Sequence, residues 1–218
     1  MTNNEWKILG EWRKDAGDIV EHYFLQDIYV ANKIMKSGET HVYDVGSRID
    51  GYISHLLSMG IEVTMLDVRP MDVDVSGLHF IQADAMVLDN IPTKSIKTFS
   101  SLHAIEHFGL GRYNDPIDYH GWEKGIKAMC DKVQIGGYFY LSVPIGNHEK
   151  VCFNAHRIFN PKTIIDVAEN CDMKIITLAV VHNNKLEEYD FTMSKTNISS
   201  IISTLGEYDC GIFTFKKY

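Results

Sequence analysis

Apolar positions along the 218-residue chain alternate between two spacings. Compact apolar runs at 41–45, 62–66, 79–81, 96–100, 138–143, 173–181 and 211–216 read as strands. Between them, 51–59 (Tyr52, Ile53, Leu56, Leu57) and 122–133 (Ile126, Met129, Val133) place apolar side chains at helical spacing. Residues 161–170 follow Asn160-Pro161, a good cap residue and then a proline suited to the first helical position. Ahead of the first strand, 12–35 carries Ile19, Tyr23, Phe24, Ile28, Ala31 and Ile34 on one helical face, and Lys36-Ser-Gly-Glu ends it.

Strands that alternate with helices predict an α/β fold: a doubly wound, mostly parallel sheet of seven strands, covered on both faces. The last run follows a turn-rich stretch at 206–210, which predicts a hairpin and an antiparallel edge strand. Without a linker, repeat or low-complexity segment, residues 1–218 are expected to form one domain with a helical lead over about 1–38.

The most informative segment is Val42-Tyr-Asp-Val-Gly-Ser-Arg-Ile-Asp-Gly51, a strand that ends in Asp44-Val-Gly46 and runs into a helix. Ligands of open α/β sheets bind beyond the carboxyl ends of the strands, where a glycine lets the backbone approach them. The next strand ends at Asp67, 21 residues after Gly46, the spacing of a carboxylate that accepts from ribose hydroxyls. The third ends at Asp84-Ala85, where an acid can receive the amino group of an adenine.

This ordered set resembles the class I S-adenosylmethionine-dependent methyltransferase family, whose first motif is a strand ending in Asp-x-Gly-x-Gly-x-Gly. Arg48 and Asp50 replace the second and third glycines. They leave little clearance for a pyrophosphate, which argues against NAD, whereas a methionine moiety needs less room and offers a carboxylate to Arg48. The resemblance implies S-adenosylmethionine as cofactor, held by Asp44, Gly46, Ser47, Arg48, Asp67, Asp84, Ala85 and Ser101. It extends through Ser101-Leu-His-Ala-Ile-Glu-His107 and the Gly136-Gly137 turn, over about residues 41–181. The wording D-V-G-S-R-I-D-G, S-S-L-H-A-I-E-H-F-G-L-G-R-Y and F-N-A-H-R-I-F-N-P-K-T-I is similar to a poorly characterised methyltransferase-like family found with bacterial surface-polysaccharide genes. That similarity implies O-methylation of a sugar or sugar nucleotide, with a small-molecule or glycan acceptor as the partner.

Methyl transfer to an alcohol needs an aligned acceptor and a base. His103, Glu106 and His107 follow the fourth strand and His156 lies in a later loop, so these four are the candidate catalytic residues. The plainer role is that such a histidine caps a helix or packs beside the cofactor. Three other readings compete. His103-Ala-Ile-Glu-His107 spells the H-x-x-E-H zinc-peptidase pattern, although no metal ligand set is assigned. A divalent metal could assist sugar methylation through His103, Asp115, Asp118 and His120. The altered first motif also suits a non-catalytic nucleotide-binding or scaffold protein.

Composition narrows the partners. Twenty-one basic against 29 acidic residues give a net charge of -8, so nucleic acid and anionic membranes are poor partners. Arg112, Lys124 and Arg157 are read as solvated surface, with a phosphorylated small molecule as their alternative use. Four scattered cysteines, a polar N-terminus and the lack of a bilayer-length apolar run lead to an expected cytoplasmic location.

Overall fold

The computed structural model describes residues 21–113, 115–193 and 196–218. The first helix, α1 (Glu21–Ser37), covers the second half of the expected leading helix, and residues 12–20 lie outside the described residues. Then follow β1 (His41–Val45), a wide π-type turn (Ile49–Ile53), α2 (Ser54–Ser58), β2 (Glu62–Asp67), β3 (Leu78–Gln82) and β4 (Ile96–Leu102). A single 3-10 turn (Ile105–His107) precedes α3 (Gly121–Lys132) and β5 (Val133–Ile145). A small hairpin, β6 (Lys150–Cys152) and β7 (His156–Ile158), leads to α4 (Pro161–Glu169). The chain ends with β8 (Met173–His182), β9 (Lys185–Asp190), α5 (Ile198–Ile202) and β10 (Asp209–Lys217).

The main sheet runs β3-β2-β1-β4-β5-β10-β8-β9, with the first five strands parallel to their neighbours. The doubly wound, mostly parallel architecture is therefore present, with two differences from expectation. The sheet has eight strands rather than seven, because the polar segment Lys185–Asp190 pairs with β8 through a two-residue turn. Asn183 and Asn184 there have φ of 48° and 59°, the paired positive values that suit a hairpin's twist. The edge strand is consequently β9. The expected edge, β10, lies between β5 and β8, antiparallel to both. Its sequence explains the position: Gly211-Ile-Phe-Thr-Phe is buried on both faces, which an edge strand cannot provide.

Two apolar layers flank the sheet. Phe99, Phe139, Phe213 and Phe215 pack beneath the α3 and α4 side, while on the other face Val42 and Val63 share a cluster with Ile34 of α1, Tyr52 of the π-type turn and Leu56 of α2. Asn160 caps α4 by accepting from the Lys162 N–H, as its sequence position predicts. The expected helix over 51–59 is broken. Gly51 takes φ -125° and ψ -107°, and a Cβ there would meet the Asp27 carboxylate of α1 at 2.4 Å. Close approach of α1 thus opens the turn, and α1 comes to wall the carboxyl ends of β1 and β4.

The central aromatic ladder yields a stability prediction. The Phe213 and Phe215 rings lie 5.9 Å apart and parallel within 1° on a fully buried strand. Phe213→Ala should cost about 3–5 kcal/mol in urea unfolding, and Glu187→Ala on the exposed edge strand less than about 0.5 kcal/mol.

Candidate active site

At the end of β1 the chain reverses at Gly46, whose φ of 71° is left-handed. A Cβ there would lie 2.9 Å from the Ala104 Cβ, so the turn needs glycine for space as well as conformation. The turn is held from below by Asp44, which is fully buried. Its carboxylate accepts from the Ser47 N–H (3.0 Å), the Ser47 hydroxyl (2.8 Å) and the Ser100 hydroxyl (2.6 Å). Burial pushes its pKa up to about 6 against those three bonds. Asp44 is therefore a loop anchor rather than the ligand contact expected from sequence. Ser101 is likewise removed from the ligand set, because its buried hydroxyl donates to the Val45 carbonyl.

Above this turn lie two joined cavities. The larger, about 840 Å³, runs from β1 to α1 and the segment near Tyr113; Ser47, Arg48, His107 and His156 help line it. The smaller, about 130 Å³, is mainly apolar and lies against Asp84, Ala85, Met86 and Phe108. They meet at Gly46, Asp67, Arg69, His103, His107 and Tyr113. A mainly apolar slot with Asp84 at its wall suits an adenine. Both β-strand acids expected at the site are present, Asp67 at the junction and Asp84 at the slot.

Two of the expected contacts are already engaged. Arg48 makes two bonds to Asp50 (3.0 and 2.8 Å), so a methionine carboxylate must compete with that exposed pair. Asp67 accepts from the Arg69 backbone N–H and from the Nε and one terminal nitrogen of its guanidinium, at 2.9, 2.9 and 2.7 Å. Burial would raise the Asp67 pKa, but Arg69 outweighs it and holds the carboxyl below its ordinary range.

The histidine cluster differs most from the sequence reading. His103 follows β4 with a left-handed φ of 52°, and its Nδ1 lies 2.8 Å from Glu106 Oε1. Both side chains are buried. Burial disfavours the imidazolium, yet the Glu106 carboxylate prevails and raises the His103 pKa to about 10. His103 is thus a bound cation at neutral pH and is corrected from base to charge partner. Its ring stacks on His22 of α1, at 4.5 Å between centroids. Burial and the His103 charge push His22 down to about 4, so the stack carries one proton charge rather than two.

His107 is set differently. Its Nδ1 lies 2.6 Å from the Ala155 carbonyl, which can only accept, so the Nδ1 carries a proton; in that neutral tautomer the lone pair is on Nε2, 3.7 Å from Glu106 Oε1. His156 is half-buried at the cleft, and burial lowers its pKa. His107 and His156, rather than His103, are therefore the available proton acceptors.

Sequence reasoning passed over His22, Asp27 and Arg157. The first two sit on α1, whose periodicity looked like packing alone; a signal was present in the polar His22 and Asp27 on an otherwise apolar helical face. Arg157 looked like solvated surface but is buried, and it donates to the carbonyls of Phe108 (2.6 Å), Tyr119 (3.3 Å) and Glu106 (3.4 Å). It clasps the segment between β4 and α3, which carries His107, Phe108, Arg112 and Tyr113.

The metal readings lose their geometry. His103 and His107 do not share a helical face, because His103 lies outside the three-residue turn and its Nδ1 is committed to Glu106. Asp115 accepts from the Gly109 and Tyr113 N–H groups, and Asp118 from Lys124 and the His120 N–H, so these carboxylates shape the loop. Among the described residues no three metal-ligating side chains converge.

A structure of a SAM-dependent methyltransferase from Archaeoglobus fulgidus superposes with a TM-score of 0.54 at 19% identity, over 89% of this chain and 97% of that one. The 1,6-didemethyltoxoflavin-N1-methyltransferase of Burkholderia thailandensis, with its substrate and S-adenosylhomocysteine bound, gives 0.56 at 12% identity over 94% of each chain. The fold is that of the class I S-adenosylmethionine-dependent methyltransferases. The cyclase SpnF shares this methyltransferase fold, with a TM-score of 0.61 at 11% identity over 94% and 86% of the two chains, so the fold alone does not dictate methyl transfer. No curated protein matches the chain. Residues 90–167 match a family described as Caenorhabditis protein of unknown function, DUF268. That stretch holds His103, Glu106, His107, Arg112 and His156 and excludes the ends of β1, β2 and β3. It names no substrate, and the polysaccharide association implied by the sequence resemblance gains no support from it.

The buried ion pair gives a pH prediction. The His103 pKa is raised above the unfolded value of about 6.5, so its stabilising contribution is fully present below that pH and is lost as pH rises through about 10. NMR titration should find this ring protonated at pH 8. In Glu106→Gln the carboxylate that outweighs burial is gone and the His103 pKa should fall, with a stability loss at pH 7 of about 3–5 kcal/mol for the broken pair.

Proposed function

We propose that the chain transfers a methyl group from S-adenosylmethionine to a hydroxyl of a small-molecule acceptor, a sugar or sugar nucleotide by its sequence resemblance. The observation that carries this reading is the pair of cavities joined at Asp67 and His107, one an apolar slot and the other a polar cleft. The fit to the cofactor is supported by the Gly46 reversal, which keeps the strand end clear of side chain, and by the slot beside Asp84. Asp84 and Ala85 would hold the adenine, Asp67 the ribose, and Gly46, Ser47 and Arg48 the methionine portion. When bound, the cofactor supplies an electrophilic methyl group.

His107 Nε2 takes the acceptor's hydroxyl proton as the oxygen becomes nucleophilic, while Nδ1 remains anchored to Ala155. His156 offers a second neutral imidazole on the same wall. The His103–Glu106 ion pair, neutral overall, orients the turn that presents His107. Part of the proposal is a cytosolic setting, supported by four free thiols among the described residues. No described helix is long and apolar enough to cross a membrane.

Calorimetry with S-adenosylhomocysteine tests the donor site. Asp67→Ala should weaken binding by about 1.5–3 kcal/mol, roughly tenfold or more; unchanged affinity would remove the ribose assignment. On an acceptor found by S-adenosylhomocysteine release from a panel of sugars and nucleotide sugars, His107→Ala should lower turnover by about 10²–10⁴ with donor affinity retained. One tightly held zinc per chain, with a hydrolytic activity lost in Glu106→Gln, would overturn the methyltransferase reading.

A further inference from the structure

The charges around the larger cavity are almost all neutralised in pairs: Arg48 with Asp50 at 2.8 Å, Arg69 with Asp67 at 2.7 Å and His103 with Glu106 at 2.8 Å. Among the cations lining it, Arg112 is the exception. Among the described residues it has no carboxylate within 4.0 Å, and its Nε reaches only the Tyr113 hydroxyl at 3.4 Å. Its guanidinium carbon lies 5.7 Å from the centre of the Tyr113 ring. The Arg69 guanidinium lies 4.6 Å from the same ring. Two guanidinium groups therefore converge on one aromatic side chain, which itself packs edge-on to His107 at 5.6 Å.

Only one of these cations is free. Asp67 Oδ1 accepts from the Arg69 N–H and Nε, and Oδ2 from its terminal nitrogen, so the carboxylate has little capacity left for ribose hydroxyls. A ribose that engages both oxygens of Asp67 must displace the guanidinium. The Tyr113 face is a ready resting place for it, because a cation over an aromatic ring retains part of its stabilisation.

Resting on the proposed methyltransferase reading, we propose that Arg112 and Arg69 hold a phosphoryl group of the acceptor beside Tyr113, and that donor binding at Asp67 releases Arg69 to complete this site. Two planar, permanently charged forks match the charge and multiple oxygens of a phosphate monoester better than a monoanionic carboxylate. While Asp67 neutralises Arg69, the site has one free cation; after ribose binding it has two. Donor and phosphorylated ligand must then strengthen each other's binding reciprocally.

The test uses phenyl phosphate, inorganic phosphate and benzoate, titrated by calorimetry into the full chain with and without saturating S-adenosylhomocysteine. Phenyl phosphate should bind the loaded protein about tenfold more tightly than the free protein, and more tightly than benzoate in the loaded state. Arg112→Gln should weaken phenyl phosphate about tenfold or more with S-adenosylhomocysteine affinity unchanged. Arg69→Gln should retain or tighten S-adenosylhomocysteine binding and abolish the coupling. Normal S-adenosylhomocysteine binding without coupling, or wild-type phosphate binding in Arg112→Gln, overturns this inference alone. Benzoate equal to phenyl phosphate overturns the phosphoryl assignment, and inorganic phosphate binding more tightly than the ester makes this a free-anion site and overturns the acceptor claim. Absence of S-adenosylhomocysteine binding to the wild type removes the proposed function and this inference together.

Discussion

A single buried carboxylate organises the ligand-bearing edge of the sheet. Asp44 joins β1, the reversal at Gly46 and Ser47, and β4 through Ser100, in a place water does not reach. An unpaired carboxylate there would be costly, and the three donors that satisfy it leave the chain little choice of path. Ser47 extends the restraint by accepting from the Leu102 N–H at 3.1 Å. The ends of β1 and β4 are thereby fixed side by side, and the joined cavities open directly above them.

The second organising element is a balance of charge against burial. Glu106 lies between His103 and His107, with His103 Nδ1 at 2.8 Å and His107 Nε2 at 3.7 Å. The nearer, more buried histidine takes the ion pair. The other is held by a backbone carbonyl, which places a proton on Nδ1 and makes Nε2 the site of the lone pair in the neutral tautomer. Adjacent histidines with similar sequence context thus acquire different chemistry: one fixes charge, and the other can exchange a proton. His22 completes the division by remaining neutral under the charged ring.

The two halves of the site have different architectural origins. The proposed donor half is made by the ends of β1, β2 and β3, where parallel-strand geometry presents Gly46, Asp67 and Asp84 in sequence order. The proposed acceptor half is made by irregular chain between β4 and α3 and by the β6–β7 hairpin. Arg157 binds these two pieces together through backbone carbonyls alone. The family match at residues 90–167 covers this second half and not the ends of β1, β2 and β3.

Strand and helix periodicity, the α4 cap and the ordered acids at strand ends were legible in the sequence because each depends on neighbours within a few residues. The placement of β10 was not, since its burial on both faces becomes decisive only once β5 and β8 are available to enclose it. Nor could the sequence separate the roles of Asp44 and Asp67: both are acids near strand ends, but one points into the protein and the other into the cavity. For His103 and His107 the sequence determined proximity to a carboxylate and to the fourth strand. Tertiary structure alone decided the charge of His103 and the hydrogen-bond partner of His107, because these depend on depth below the surface and on partners as distant in sequence as His22 and Ala155.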